Sequence, residues 1–308
     1  MRGDVNCFNI MPSVSPTNAI SDATFELWQR LANFPASETD AALKYLQEWI
    51  AKEIDADNVI WIGGVRVLRG ATAKKDPFLG WRLRARVALR PDPAPYRKQL
   101  AEYYDSEHYG KLTPTYYQRS HEAKDADHIG MDSRATMGST GRFRFYRIRD
   151  GKLFDFAAFK KTPHYKRYYR DGGIADRIMV GFPVTADLES FFLIDRFQTK
   201  PRRRLFTQRE ADLAGNALRG IPELHHRLLL GNGLLVSDKL LSPMERQILQ
   251  GLLTGQTENQ IAVSLGRKPS TLHKSVTNLY TLFGVKSRAA LMALWLEGNR
   301  HEVHRRQA

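Results

Sequence analysis

The chain has 308 residues, enough for about two domains that each bury a core of their own. Its composition, 42% hydrophobic and 26% charged, is that of a soluble globular protein. Lysine and arginine number 47 against 33 acidic residues, and the resulting net charge of +14 favours a polyanionic partner, whether nucleic acid, an anionic membrane surface or an acidic protein.

The apolar and cysteine content narrows the cellular setting. No run approaches the ~18 consecutive apolar residues that a membrane span needs, and the first 16 residues lack the apolar stretch of a signal peptide. The single cysteine, Cys7, excludes an internal disulfide and a cysteine-rich metal site. We therefore expect a cytoplasmic protein that makes no membrane contact.

The first two thirds of the chain predict a leader and one mixed domain. Residues 1–19, rich in Ser, Pro and Asn, predict a flexible leader, and residues 20–230 follow as the domain. Helices are expected before the first strand, around 96–109 and over 208–230, with a polar, loop-rich stretch at 113–139.

Six runs in this domain have the pattern of strands. They are 58–62, 64–68, 81–89, 142–148, 177–182 and 189–194. In the third run, Arg82, Arg84 and Arg86 alternate with apolar residues, as in a strand with one face in water. Because few helices of crossover length separate the strands, we expect an α+β domain with a mostly antiparallel sheet.

This order of elements resembles a GAF- or PAS-type sensory domain, whose last helix often leads into an output domain. An aromatic segment at 103–117 is also similar to the pocket-lining region of quorum-sensing regulators that bind acyl-homoserine lactones. That resemblance implies a small-molecule site that includes Tyr104, Tyr109 and Tyr117. Ordinary aromatic packing under the sheet is the alternative.

The C-terminal residues predict four short helices after a hinge. Gly231 and Gly233 suggest a hinge over 231–237. Ser242-Pro-Met-Glu245 and Thr257-Glu-Asn-Gln260 are capping boxes that begin the first two helices. Gly266 ends the second helix, Gly284 ends the third, and Ser287 begins a fourth that runs to about Glu297.

The third helix gives the strongest functional signal in the sequence. One face carries a continuous apolar stripe, formed by Leu272, Val276, Leu279, Tyr280 and Phe283. The opposite face carries donors and no acidic residue, namely Ser270, His273, Lys274, Thr277, Asn278 and Thr281. Such a face suits the major groove of DNA, because hydroxyl and lysine groups contact phosphates and base edges. A structural cap whose polar face meets water is the alternative.

Residues 238–300 resemble the LuxR/GerE-type helix-turn-helix domain, with a basic tail at 301–308. The matching residues are Leu241, Glu245, Ile248, Leu249, Leu252, Gly255, Asn259, Ile261, Ala262, Leu265, Thr271, Asn278, Tyr280, Gly284, Val285, Ser287 and Arg288. The resemblance implies an all-α, four-helix domain that binds double-stranded DNA as a homodimer. The chain departs from the family pattern at Arg267, Lys268, His273 and Ser275, which puts the family's DNA sequence preference in doubt.

The same resemblance implies specific site residues. His273, Lys274 and Thr277 fall on base-reading positions. The full set expected to contact DNA is Arg267, Lys268, Ser270, Thr271, His273, Lys274, Thr277, Asn278, Lys286 and Arg288. The residues expected to form the dimer contact on the fourth helix are Ala290, Leu291, Leu294 and Trp295.

The DNA-binding domain does not account for most of the charge. Residues 237–308 carry 10 basic and 5 acidic residues, so +9 of the +14 lies in the rest of the chain. Two basic clusters stand out, at 160–170 and 200–204. They predict either an anion site, with the tyrosines of the first cluster free to stack on bases, or a solvated basic face.

We therefore predict a sequence-specific transcriptional regulator whose N-terminal domain senses a small or anionic ligand, or a partner, and controls the helix-turn-helix. The alternatives are a constitutive or architectural DNA-binding protein, a sensor that serves only as a protein-interaction surface, and an enzyme with a DNA-binding tail. No catalytic or cofactor motif supports an enzyme, and no cofactor is expected. His121 and His128 flank acidic residues, but their spacing matches no common metal site.

Overall fold

The computed structural model describes residues 20–76, 78–95, 97, 131–198, 204–237 and 240–296. The helices are α1 (Asp22–Ala32), α2 (Thr39–Glu53), α3 (Gly70–Lys75), α4 (Met131–Gly138), α5 (Phe156–Phe159), α6 (Pro163–Tyr165), α7 (Gln208–Arg219), α8 (Pro222–Gly231), α9 (Pro243–Leu252), α10 (Glu258–Ser264), α11 (Pro269–Phe283) and α12 (Arg288–Leu296). The strands are β1 (Asn58–Arg66), β2 (Trp81–Ala88), β3 (Arg144–Arg147), β4 (Ile174–Thr185) and β5 (Leu188–Phe197). Short 3₁₀ turns at Ala36–Glu38 and Ile148–Asp150 and a π turn at Lys166–Arg170 complete the elements.

The five described strands form one sheet in the order β2-β1-β5-β4-β3, with every neighbouring pair antiparallel. The α+β class with a mostly antiparallel sheet, followed by four helices, is thereby confirmed. The predicted runs 58–62 and 64–68 are a single strand, because Gly63 and Gly64 continue the ladder through a bulge against β2. Glycine fits there since an added Cβ at Gly64 would lie 2.5 Å from the Phe191 ring.

One face of the sheet is covered by α2, α7 and α8, with α1 packed against α2 and α7. The core of this layer is fully buried and includes Leu46, Ile50, Trp61, Phe192 and Leu228. A smaller apolar cluster on the opposite face contains Phe78, Trp81 and Phe191. The sheet therefore buries residues on both faces.

The arginines of β2 do not lie on a wet face as predicted. Arg86 is paired with Asp92 at 2.8 Å, and the two side chains are 4% and 2% exposed. Arg82 pairs with the buried Asp76 at 3.0 Å. The alternation of polar and apolar residues predicted that water would solvate the guanidinium groups. In the structure, carboxylates in the flanking loops pair with them instead.

The predicted helix over 208–230 is two helices. Thr207 begins α7 with a capping box to Glu210, and α7 ends at Arg219. Pro222 begins α8 at its first position, where its missing N–H costs no hydrogen bond. A Cβ at Gly220 would lie 2.1 Å from the Trp28 ring, so the break also lets α1 approach closely. Residues 131–138, predicted as loop, form α4.

The segment predicted as a hinge is packed. Residues 232–237 are all buried, among them Leu234, Leu235 and Val236. Gly233, at φ +80°, turns the chain back so that the Leu241 amide donates to the Asn232 carbonyl at 3.1 Å. Any change in the placement of the helix-turn-helix relative to the sheet would therefore have to unpack this turn.

The helical C-terminal part also contacts the rest of the chain directly. Arg246 of α9 pairs with Asp40 at the start of α2 at 2.6 Å, and the Gln250 amide donates to the same carboxylate at 2.9 Å. A cleft lies beside these contacts, between the 3₁₀ turn at Ala36–Glu38 and α9–α10, with Ser37, Gln247 and Leu265 in its wall. The interface is thus polar at its edge and continuous with the core at the buried turn.

Candidate DNA-binding interface

The first two helices of the C-terminal part begin as their capping residues predict. The Ser242 hydroxyl accepts from the Glu245 amide, and the Glu245 carboxylate accepts from the Ser242 amide at 2.7 Å. Thr257 and Gln260 make the same reciprocal pair at the start of α10. Each box satisfies backbone donors that a helix start would otherwise leave unpaired.

A close contact sets the angle between these helices. A Cβ on Gly251 would lie 2.9 Å from the Ile261 side chain, so only a glycine lets α9 and α10 approach this closely. After α10, Gly266 adopts φ +61° and the chain turns into α11, whose first residue is Pro269.

The apolar stripe of α11 faces the core of the small domain. Leu272, Val276, Leu279 and Phe283 are each at most 3% exposed, and Tyr280 is half-buried. Gly284 then ends the helix at φ +68°. The predicted helix and its inward face are therefore confirmed by the structure.

The opposite face of α11 and the preceding turn lie in solvent. The residues predicted to contact DNA that are exposed are Arg267, Lys268, Ser270, Thr271, His273, Lys274, Thr277, Asn278 and Lys286. They form one surface along the turn and the first three turns of α11, with Lys286 beyond its end. We call the exposed side chains of residues 267–278 the reading face.

Some hydroxyl protons on this face are already used. The Thr277 hydroxyl donates to the His273 carbonyl at 3.0 Å, and the Ser275 hydroxyl donates to the Thr271 carbonyl at 3.2 Å. In this arrangement Thr277 offers its oxygen as an acceptor, together with its methyl group.

Arg288, which was predicted to contact DNA, is engaged with backbone carbonyls in the structure. Its guanidinium donates to the backbone carbonyls of Leu252 and Gly251 at 2.8 and 3.3 Å, and also to those of Thr254 and Gln256. It therefore binds backbone carbonyls at the end of α9 and in the loop that follows that helix. Arginine has five donors in a rigid fork, so it suits this task and has little left to offer a phosphate.

The structure adds an acidic group that sequence reasoning missed. Glu258 is the first residue of α10, and its carboxylate contacts the His273 ring, with 2.9 Å between Oε2 and Nδ1. Helical periodicity describes the faces of α11 alone, and it therefore predicts a face without an acidic residue. The feature that could have indicated Glu258 is the crossing of α10 over the start of α11.

Of the four residues predicted to form the dimer contact, two are buried and two are accessible. Leu291 and Trp295 are buried in their own domain, where the Trp295 ring lies 5.8 Å from that of Phe283. Ala290 is exposed and Leu294 is half-buried, and Leu296 beyond them is 85% exposed. We call Ala290, Leu294 and Leu296 the outer strip of α12, and this strip is accessible to a second copy.

The basic cluster at 160–170 turns its rings inward. Tyr169 is 3% exposed and stacks on Tyr165 with ring centroids 5.5 Å apart, while Tyr168 packs on His164. The predicted stacking of these tyrosines on bases is therefore not supported. The cations of the cluster are exposed, namely Lys160, Lys161, Lys166, Arg167 and Arg170. In the second cluster, 200–204, the described Arg204 pairs with Glu210.

Several predictions lie outside the described residues. They are Tyr104, Tyr109 and Tyr117, the histidines 121 and 128, the leader and the basic tail. Within the described ranges, no group of three or more His, Cys, Asp or Glu side chains is placed to hold a metal ion. No helix in the same ranges is long and apolar enough to cross a membrane.

Residues 239–295 match the family described as bacterial regulatory proteins, luxR family. The match contains α9 to α12 and every residue predicted to contact DNA, and it confirms the LuxR-type helix-turn-helix predicted from the sequence. No curated protein matches the chain.

The solved structures that match most of this chain include two of one protein. One is a crystal structure of Escherichia coli SdiA, at 11% identity and a TM-score of 0.38, covering 89% of this chain and 96% of that one. The other is SdiA in complex with octanoyl-rac-glycerol, at 13% identity and a TM-score of 0.37, covering 92% and 96%. At TM-scores below 0.5, neither assigns a fold to this chain.

Proposed function

We propose that this chain, which carries a luxR-family domain at residues 239–295, is a sequence-specific transcriptional regulator that places α11 in the major groove of DNA. The observation that carries the proposal is the reading face, because its donors are exposed while the other side of the same helix is buried. His273, Lys274 and Thr277 are the base-reading candidates, and Arg267 and Lys268 approach the phosphates.

The test begins with selection of bound duplexes from a random double-stranded library, followed by affinity measurement on the selected site. The double change His273→Ala with Lys274→Ala is expected to weaken binding to that site at least tenfold, since a good base contact discriminates by about 1–3 kcal/mol. Far-ultraviolet circular dichroism should remain that of the wild type, because both side chains are exposed.

A matched control removes charge elsewhere. Lys166→Ala with Arg167→Ala takes two exposed cations from the 160–170 cluster, which is not part of the luxR-family domain. Its affinity for the selected site should change little. If the reading-face variant binds as tightly as the wild type, the assignment of α11 as the recognition helix is wrong.

An architectural DNA-binding protein is the second candidate, favoured by the +9 charge outside the C-terminal part and by the exposed cations of 160–170. Such a protein binds through phosphates alone, so it would bind random and selected duplexes with similar affinity and a steep salt dependence. A preference of 10³-fold or more for the selected site at ~150 mM salt would reject it.

We further propose that the protein acts as a homodimer through the outer strip of α12. Two recognition helices would then lie about 34 Å apart, one turn of DNA. Leu294→Lys with Leu296→Lys places two charges on this strip, and sedimentation velocity should show a shift from dimer to monomer. Val263→Lys is the control, since Val263 is also an exposed apolar residue, 80% exposed, but lies on α10. A dimer that survives the α12 change would contradict the proposal.

Control of DNA binding by the N-terminal domain rests on the packed turn at 232–237 and on the Asp40–Arg246 pair. A ligand or partner that binds one placement of the helix-turn-helix more tightly would increase the population of that placement. The size of the shift is set by the difference between the ligand's affinities for the two placements. Operator affinity of Asp40→Ala, with and without a candidate ligand, measures this coupling. Unaltered dependence on that ligand would argue against a role for the pair.

A further inference from the structure

A carboxylate on the neighbouring helix touches the reading face. Glu258 Oε2 lies 2.9 Å from His273 Nδ1, and the two side chains are 36% and 72% exposed. No other hydrogen bond to the His273 ring is found in the part of the chain that the structure describes. Nε2 is therefore the ring nitrogen left for DNA.

We infer that Glu258 is a positioning residue for base recognition: it fixes the tautomer of His273 so that Nε2 accepts a hydrogen bond from an amino group of adenine or cytosine. This inference rests on the proposed placement of α11 in the major groove. It adds a residue outside α11 to the recognition site and names the class of base that the site reads.

Hydrogen-bond chemistry fixes the direction. An ionised carboxylate can only accept, so a neutral His273 must carry its proton on Nδ1 in order to donate to Glu258. The proton then leaves Nε2 with a lone pair. Among the base edges of the major groove, only adenine N6 and cytosine N4 offer N–H donors, whereas guanine and thymine offer acceptors.

The surroundings of the pair are consistent with this arrangement. Lys274 is the exposed neighbour of His273 on the reading face. Burial and the charge of Glu258 both raise the pKa of Tyr280, on the same helix, while Arg288 opposes that rise. Glu258 thus lies close enough to α11 to interact with both His273, on the reading face, and Tyr280, next to the buried stripe.

The experiment measures base preference and tautomer in the full chain. Bound sites are selected from a random duplex library at pH 8 for the wild type, His273→Ala, Glu258→Ala and Asp22→Ala. Asp22 is the matched control, because it is likewise the first residue of a helix, α1, and its loss changes net charge equally. Imidazole ¹⁵N shifts of His273 report the tautomer.

We expect one position in each half-site of the wild type to prefer adenine or cytosine. His273→Ala should remove that preference, and Glu258→Ala should reduce it about fivefold, the worth of one ordinary hydrogen bond. The ¹⁵N shifts should move from the Nδ1–H form towards a mixture in Glu258→Ala. Asp22→Ala should match the wild type in both measurements.

Any of the following results would overturn the inference. The first is a preference for guanine at the position that His273→Ala affects. The second is an Nε2–H tautomer in the wild type. The third is an adenine or cytosine preference that persists in His273→Ala and vanishes in Glu258→Ala, which would make the carboxylate itself the reader.

Failure of the underlying function is distinguishable from these results. If the wild type selects no sequence, then the proposed sequence-specific DNA binding fails and with it this inference. If the wild type selects a site but Glu258→Ala leaves its base preference and the His273 tautomer unchanged, then only the positioning role of Glu258 is lost.

Discussion

His225 joins the sheet to α8 through a buried polar chain. Its Nδ1 lies 2.8 Å from Ser190 Oγ and its Nε2 lies 2.8 Å from the Leu218 carbonyl, while Trp61 donates to the same Ser190 hydroxyl. The ring stacks on Phe182 at 4.1 Å and is completely buried. Burial lowers the pKa of His225 to about 4, although the bond to Leu218 opposes the change.

This pKa predicts a pH dependence of stability. An imidazole in an unfolded chain has a pKa of about 6.5, so between that value and about 4 the unfolded state binds more protons than the native state. The free energy of unfolding should therefore fall as the pH falls through this window, by up to about 3 kcal/mol from His225. Burial lowers the pKa of His226 as well, so that residue acts in the same direction.

Urea unfolding at pH 7, 6 and 5 measures the effect. His225→Gln should be less stable at pH 7 but should lose less stability on acidification than the wild type. Equal slopes for the two proteins would mean that His225 does not titrate in this window.

Helix boundaries in the C-terminal part were predictable because local chemistry sets them. Ser242 and Thr257 carry reciprocal caps, and Gly266 and Gly284 adopt positive φ, so each signal lies in the sequence within a few residues of the boundary. The break before Pro222 carried a local signal too, but the continuous apolar pattern on both sides concealed it.

Contacts between elements were not predictable in the same way. Asp76 and Asp92 lie outside β2 and form ion pairs with its arginines, and Glu258 contacts His273 from a different helix. Periodicity within one element has no information about such partners. Of the reading face, the sequence therefore predicted the side chains and their exposure, but not the carboxylate beside them.

Arg288 connects α12 to the end of α9, and its loss should lower the stability of the protein. Arg288→Ala removes the donors that bind the carbonyls at the end of α9, and a hydrogen bond to a charged group contributes about 1.5–3 kcal/mol to stability. We expect the protein to unfold at a temperature at least 4 °C lower than the wild type.

The control for this change is its neighbour. Lys286→Ala removes the same charge from an exposed position, so its melting temperature should match the wild type. Arg288→Lys should resemble Arg288→Ala, since one ammonium group cannot reach several divergent carbonyls. Full stability in Arg288→Ala would show that water replaces the guanidinium without cost.

At the scale of the molecule, one core runs from the sheet into the helix-turn-helix. Leu234 and Val236 of the buried turn belong to the same apolar cluster as Trp61 of β1 and Ile248 of α9. We expect a single cooperative thermal transition, with calorimetric and van't Hoff enthalpies equal. Two resolved transitions would indicate that the two parts are stable independently. Calorimetry with tryptophan fluorescence distinguishes the cases, because Trp61 and Trp295 report on opposite parts.

The buried turn also bears on how this protein could be taken apart and reused. Regulators assembled from interchangeable cassettes need a boundary at which the chain can be cut without exposing apolar surface. Here a cut after residue 237 would separate the buried Leu241, on one fragment, from the buried Leu234 to Val236, on the other. A fusion of the C-terminal helices to a foreign sensor should therefore include residues 232–237 and α8, against which they pack. Without them, the chimera would expose apolar residues that promote aggregation.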